Sequence, residues 1–175
     1  MPSAEPFSRI VRVDALPKEG RTVAIEATGA ERKALAALYK LPSIEALRAS
    51  LTLKRSTRGG VRVKGAIHGE LTQICVVTLD PFSAAIDEEI DVRFALTAND
   101  DRDGEAGETL SMNEDDEPDP LIDNKIDIGA LTAEFFALGI DPYPRKPGVA
   151  FDPPREKGAR ETPFSVLRNG AKSGK

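Results

Sequence analysis

The chain has 175 residues, which suits one domain with appendages, and its two tyrosines and absence of tryptophan argue against a deep aromatic ligand pocket. One cysteine excludes an intramolecular disulfide framework and a zinc site built from several cysteines. The net charge of −5 hides three segments: residues 1–97 carry 14 basic and 12 acidic side chains, residues 98–141 carry 2 and 14, and residues 142–175 carry 8 and 3. Whole-chain charge therefore does not decide whether one face meets nucleic acid.

The sequence shows no signal for a membrane or for export. No apolar run is long enough to span a bilayer. The first residues lack the basic and apolar regions of a secretory signal. The sequence thus predicts a cytoplasmic protein that does not contact a membrane.

The first third of the chain changes from strand to helix periodicity. Alternating apolar residues predict strands at residues 10–13 and 21–27. Strong helix formers predict a helix at residues 30–40, which ends before Pro42. Ser43 suits the N-cap of a short second helix with the sequence IEALRA.

Residues 50–79 are the centre of the predicted sheet. Apolar and polar residues mostly alternate there, as in half-buried strands. Gly59-Gly60 and His68-Gly69 are expected to interrupt the alternation with a turn and a break or bulge.

Basic side chains gather where this sheet turns at Gly59-Gly60. They are Lys54, Arg55, Arg58, Arg62 and Lys64. Such a group can contact RNA phosphates at one end of a hairpin, or it can protect a solvated sheet edge by charge. Because no aromatic residue interleaves the charges to stack on bases, composition alone favours the edge.

The next segment changes from strand to acidic loop. A strand is predicted from about Ile90 to Thr97, with alternate apolar residues. Residues 99–123 contain too few apolar residues to offset their ordering entropy, so a disordered acidic loop is expected there. Its aspartates do not form a calcium loop, because counting from Asp101 puts Met112 at the twelfth position, where a glutamate is needed.

The clearest predicted helix covers residues 127–138. Its apolar stripe consists of Ile128, Leu131, Phe135 and Leu138. Asp127 suits the N-cap, and Glu134 is expected at the flank or in solvent. Residues 145–175 are rich in proline, glycine and basic residues, and they carry one apolar anchor at residues 163–167.

The chemistry-bearing residues do not predict catalysis. His68 has no cysteine partner at a recognisable spacing, and Cys75 in an apolar strand is typical of a small buried hydrophobe. No cofactor, metal or small-molecule substrate is indicated, so the sequence predicts a non-enzymatic protein. A hydrolase would need a pocket lined by Asp87, Glu89 or Asp127 with perturbed pKa values.

Three motifs in order resemble the YceD family, the large ribosomal RNA subunit accumulation proteins. The first resembles the family's C-x-x-C-x-x-P-F stretch, the second is the helix after the acidic loop, and the third is similar to the closing PF-x-x-L. The motif positions are Cys75, Thr78 in place of the second cysteine, Pro81, Phe82, Asp127, Glu134, Pro163, Phe164 and Leu167. The resemblance covers residues 67–167.

The resemblance implies a role in accumulating or processing large-subunit ribosomal RNA, through binding to RNA, a ribosomal protein or an assembly intermediate. Family members often carry the CxxC pair and further cysteines after the helix, which suggests a bound metal. Thr78 cannot supply a thiolate, and zinc normally takes four nitrogen or sulfur ligands. The metal site is therefore not carried over to this chain.

These observations predict an α+β fold with an antiparallel or barrel-like sheet and a few packed helices. Residues 1–144 are expected to form one domain, followed by the tail at residues 145–175. The predicted function is a non-enzymatic factor in large ribosomal subunit biogenesis. The alternative is a protein-binding adaptor that acts through the acidic loop without contacting RNA.

Overall fold

A computed structural model describes residues 6–56, 60–96 and 118–151, without the side chain of Leu96. Sheet predominates over helix in these residues, within an α+β fold as predicted. The elements in chain order are β1 (Ile10–Arg12), β2 (Arg21–Glu26), α1 (Gly29–Leu38), β3 (Ser43–Arg55), β4 (Val61–Ile74), β5 (Pro81–Leu96), β6 (Asp119–Leu121), β7 (Lys125–Asp127) and α2 (Ile128–Leu138).

The strands form two separate sheets. The larger has the order β2-β3-β4-β5-β6, in which β6 joins β5 in parallel and the other pairs are antiparallel. The smaller pairs β1 with β7. The barrel-like alternative is wrong, because β2 and β6 end the larger sheet and do not pair with each other. The expectation that β1 joins the main sheet is also wrong.

Both helices lie on one face of the larger sheet. The hydroxyl of Tyr39, just after α1, donates to the carbonyl of Ala133 in α2 at 3.0 Å, and the rings of Tyr39 and Phe136 are 6.3 Å apart. Phe136 packs directly on β4, since a Cβ added to Gly69 would lie 2.4 Å from its ring. Neither α1 nor α2 has the length and apolarity to cross a membrane.

The other face of the larger sheet is called the open face here, because neither helix of the described chain covers it. It carries the side chains that alternate with the buried ones on β2 to β5. Thr52, Lys64 and Asp91, for example, are exposed, whereas their chain neighbours Leu51, Leu53 and Val63 are buried. The sheet therefore separates a packed face from a solvated one.

The predicted helix after Ser43 is wrong, because residues 43–55 form one strand. A register shift between Ile44 and Ala46 inserts an extra residue into β3. Ile44 and Leu47 consequently both face the core although they are three residues apart. A bulge thus produced the spacing that is typical of a helix. The break expected at Gly69 is also absent, since β4 continues through it to Ile74.

The acidic stretch was the least accurately predicted part of the sheet. β5 begins at Pro81, nine residues before the predicted start at Ile90. Its acidic residues lie in a strand that borders solvent, where charge is tolerated. Of the predicted disordered loop 99–123, residues 99–117 lie outside the described residues. The prediction is wrong for Asp119–Leu121, which form β6 with Leu121 buried.

Helix α2 begins where predicted, but the side chains that it buries are not all those of the predicted apolar stripe. Ile128 and Leu131 are buried as expected. Phe136, which is fully buried, replaces Phe135 as the central contact, and Leu138 is 75% exposed. The absence of a side chain at Gly69 leaves room on β4 for the Phe136 ring.

Candidate nucleic-acid interface

Three cations lie side by side at one end of the open face, and they are called the basic row: Lys54, Arg62 and Arg93. Their strands β3, β4 and β5 place Lys54 opposite Arg62 and Arg62 opposite Arg93. All three residues are exposed. Because neighbouring strands lie about 4.8 Å apart, the row spans roughly 10 Å.

Lys64 and Asp91 occupy the next position along the same strands. Asp91 accepts two hydrogen bonds from Arg62, at Nε (2.7 Å) and Nη2 (2.8 Å), and one ion-pair contact from Lys64 Nζ at 2.9 Å. The Arg62 hydrogen bonds, followed by that of Lys64, hold the pKa of the Asp91 carboxyl far below its usual range. Arg62 and Lys64 thus share a single carboxylate. Exposed ion pairs of this kind are weak.

The structure does not place all the predicted basic residues on one face of the sheet. Lys54, Arg62 and Lys64 share the open face, but Arg55 points to the other side, where Nη2 donates to the carbonyls of Val13 (2.6 Å) and Asp14 (2.9 Å). Arg58 lies outside the described residues. Sequence reasoning missed Arg93, because only the β4–β5 register brings it beside Arg62.

The middle of the open face is small and neutral, and its far side is mixed in charge. A shallow depression of about 470 Å³ has Ala24, Ser50 and Ala66 in its lining, and its titratable lining residues are Glu26, Arg48, His68 and Asp87. His68 Nδ1 lies 2.7 Å from Asp87 and Nε2 lies 3.5 Å from Glu70. The hydrogen bond to Asp87, followed by that to Glu70, raises the pKa of His68. The positive charge is therefore concentrated at the end with the basic row.

The first family motif forms the turn between β4 and β5. Cys75 is fully buried, and its Sγ accepts a hydrogen bond from the N–H of Lys146 at 3.4 Å. That bond, followed by bonds from the hydroxyl and the N–H of Thr78, lowers the pKa of the thiol to about 6. The N–H of Val76 donates to the carbonyl of Pro144 at 2.9 Å. The motif thus joins the turn to the segment that follows α2.

The donors at this turn are hydrogen-bonding groups rather than metal ligands. Thr78 places a hydroxyl where the family pattern has a second thiol, and the Cys75 sulfur is surrounded by N–H and O–H donors. In the described residues, no group of three or more His, Cys, Asp and Glu side chains is close enough to hold a metal ion. The residues present do not fit a zinc site, and that no metal binds stays a prediction from the donor count.

Asp127 has a structural position at the start of α2. Its carboxylate accepts from the N–H groups of Gly129 (3.0 Å) and Ala130 (3.1 Å), and also from the Ser8 hydroxyl and the Arg9 N–H (2.7 Å). Burial raises the pKa of Asp127, but these hydrogen bonds outweigh it and the net pKa is lowered. Asp127 therefore caps the helix and fixes the N-terminal segment.

The other motif positions divide between surface, strand and undescribed residues. Glu134 is exposed on α2, as expected. Pro81 starts β5 opposite Ile74, and Phe82 follows it on the helix-covered face. Pro163, Phe164 and Leu167 lie outside the described residues.

The carboxylates considered for a hydrolase do not converge. Asp87 and Glu89 project from alternate positions of β5 on the open face, and both are exposed. Asp127 lies on the opposite side of the sheet, at the N-terminus of α2. The structure therefore does not bring Asp127 to the other two.

Fold and site together define an α+β protein whose five-stranded sheet leaves one face, with a row of cations, uncovered by its helices. A family model described as "Large ribosomal RNA subunit accumulation protein YceD" matches residues 63–168, more than half of the chain. The chain belongs to the YceD family, which confirms the resemblance. No curated protein and no solved structure matches it.

The family match covers the later elements of the fold but not the earlier ones. It begins within β4 and continues through β5, β6, β7 and α2. Lys54 and Arg62 precede it, whereas Lys64 and Arg93 fall inside it. The family description associates the chain with accumulation of the large ribosomal RNA subunit, which is a coarse role without a named partner.

Proposed function

We propose that the chain is a non-enzymatic factor in large ribosomal subunit biogenesis that contacts large-subunit ribosomal RNA through the basic row and Lys64. The family description supports the process. Direct contact with RNA is supported by one observation, the alignment of Lys54, Arg62 and Arg93 in register on the open face.

The proposed contact is with phosphates. Placed Lys and Arg side chains bind phosphate oxygens and release counterions, which gives affinity without reading bases. Arg62 presents Nε and Nη2 together to Asp91, and the same fork suits a phosphate. Asp91 is then the group that RNA displaces, so it limits the affinity of the surface.

Binding of a large-subunit ribosomal RNA fragment at several salt concentrations tests the contact. The variant carrying Lys54→Ala and Arg93→Ala should bind more weakly, and the slope of log K against log salt should fall by about 1.5, because two phosphate contacts are lost. The matched control carries Lys18→Ala and Lys33→Ala, which remove the same charge from exposed positions outside the basic row. Equal slopes for the variant and the control would contradict the proposal.

Asp91→Asn tests the same contact through an expected increase in RNA affinity. It releases Arg62 and Lys64 from their shared carboxylate and should tighten RNA binding by about threefold at low salt. Unchanged or weaker binding would show that these cations do not meet RNA phosphates.

The same variants distinguish the proposed function from the alternative, an adaptor that acts through residues 99–123 without RNA contact. An adaptor keeps its protein partner in the Lys54→Ala, Arg93→Ala variant and loses it when residues 99–117 are deleted. An RNA-contacting factor instead loses RNA retention in the first variant.

A further inference from the structure

A second surface lies at the β2 edge of the larger sheet, and its β2 side chains face away from the open face. The β1–β2 groove runs between the two-stranded sheet and β2, the edge strand of the larger sheet, and its volume is about 450 Å³. Ile10 and Arg12 of β1 line one wall, Arg21, Val23 and Ile25 of β2 line the other, and Ile128 is also in its lining.

Both walls of the groove are strand edges. In β1, the Arg9 carbonyl and the Val13 N–H bond to residues next to β7, so alternation turns the backbone groups of Ile10 and Arg12 away from β7. In β2, the N–H of Ala27 just after the strand donates to the carbonyl of Leu47 in β3, so alternation turns the backbone groups of Thr22 and Ala24 away from β3. No backbone hydrogen bond joins β1 to β2 in the described chain.

The groove also leaves the core incomplete at its margin. Val11, Val23 and Ile25 pack against the core but are only partly buried. Apolar side chains at alternate positions of an added strand would complete their burial.

The charge of the groove favours an acidic occupant. Arg9, Arg12 and Arg21 all line it. Arg9 is held by Glu31 at 2.7 Å and Arg12 by Asp14 at 2.6 Å, whereas Arg21 makes no ion pair with a described residue. The groove therefore has an excess of positive charge at the Arg21 end.

We propose that the β1–β2 groove binds an extended peptide of a protein partner, with alternate apolar residues and acidic flanks, which adds as a short strand to β2. Arg9 Nη2 lies 3.5 Å from the carbonyl of Glu26, so it closes one end of the edge. Pairing is thus confined to Thr22 and Ala24. The site is independent of the proposed RNA contact, because its walls use the opposite face of β2.

A displayed library of random twelve-residue peptides, selected on the full chain, tests the proposal. The enriched peptides should carry apolar residues at alternate positions and acidic residues at the flanks. The strongest of them should move the backbone amide NMR signals of Ile10–Arg12 and Arg21–Glu26. Arg21→Glu should weaken its binding about fivefold, whereas the control Lys18→Glu, an exposed cation that does not line the groove, should change it less than twofold.

Strand addition is tested separately with N-methylated copies of the strongest peptide. Methylation of the alternate amides that face β2 should abolish binding, and methylation of the other set should not. No enrichment over an unrelated protein, enriched peptides without acidic residues, or signal changes confined to the open face would each overturn the proposal. So would an RNA duplex that moves the same groove signals.

Discussion

Cys75 shows how a family motif position keeps a role without the usual partner residue. Its sulfur is buried, yet N–H and O–H donors from Lys146 and Thr78 stabilise the thiolate. The hydrogen bond from the Lys146 N–H to the sulfur therefore joins the turn to the segment after α2. Sequence reasoning classified Cys75 as a small hydrophobe, because the first of these donors, the N–H of Lys146, lies 71 residues away.

The lowered pKa makes stability depend on pH. The thiol has a pKa of about 6 in the folded chain against 9.0 as the ordinary value. Between these values the folded state binds fewer protons at Cys75, so this thiol should make the free energy of unfolding rise as pH increases from 6 to 9. The raised pKa of His68 contributes a fall over the lower part of this range. Urea unfolding at pH 6, 7.5 and 9 measures the rise.

Two variants identify the source of that rise. Cys75→Ala should abolish it, and Thr78→Val should reduce it, because the Thr78 hydroxyl no longer donates to the sulfur. Thr52→Val, at an exposed strand position, is the matched control and should keep the wild-type rise. A wild-type profile that coincides with that of Cys75→Ala would show that the thiolate is not stabilised.

At the scale of elements, the start of α2 depends on Asp127. Asp127→Ala should lower the free energy of unfolding by about 1–2 kcal/mol for the lost helix cap. The loss of the hydrogen bonds from Ser8 and Arg9 adds to this decrease. Asp127→Asn keeps an acceptor and should cost less. Chemical unfolding at pH 7 measures both.

The pH dependence of stability separates the effect of the Asp127 charge from that of its hydrogen bonds. Because the pKa of Asp127 is lowered below 3.8, its contribution is present above that pH and is lost as pH falls through the folded value. Wild type should therefore lose more stability between pH 5 and pH 2.5 than Asp127→Asn does. Equal losses would mean that the carboxylate charge contributes nothing.

The contact between α2 and β4 depends on the absence of a side chain at Gly69. Gly69→Ala puts a Cβ 2.4 Å from the ring of Phe136 and should destabilise the chain by about 1–3 kcal/mol. Gly29→Ala is the control, since a Cβ there meets nothing closer than 3.9 Å. Thermal unfolding compares them, and equal midpoints would contradict this packing.

Adding Phe136→Leu to Gly69→Ala tests the contact itself. The smaller side chain makes room for the Cβ, so the two changes together should cost less than their separate effects added. Strict additivity would place the strain elsewhere.

The elements that could be predicted from the sequence are those whose determinants lie close together along the chain. The first helix and α2 could be predicted because caps and helix formers are adjacent in sequence, as with Asp127. The bulge at Ile44 and Ala46 could not, since it depends on the register with β4. The short strands β6 and β7 were missed because each pairs with a distant strand and has only three residues.

At the scale of the whole molecule, the sheet separates packing from charge. The helix-covered face carries the core, and the open face carries the basic row at one end and His68 with Asp87 at the other side of the depression. Lys54, Arg62 and Lys64 could be predicted as basic candidates from sequence. Arg93 and the divergence of Arg55 could not, because strand register and side-chain direction decide them.

The central claim is that this open face contacts large-subunit ribosomal RNA. RNA crosslinking and sequencing in cells tests it most directly, with the wild-type chain, the Lys54→Ala, Arg93→Ala variant and the Lys18→Ala, Lys33→Ala control expressed at equal levels. The account predicts enrichment of large-subunit ribosomal RNA for the wild type and the control, and a loss of most of that signal for the variant. Equal enrichment for all three chains, or none for the wild type, would contradict it.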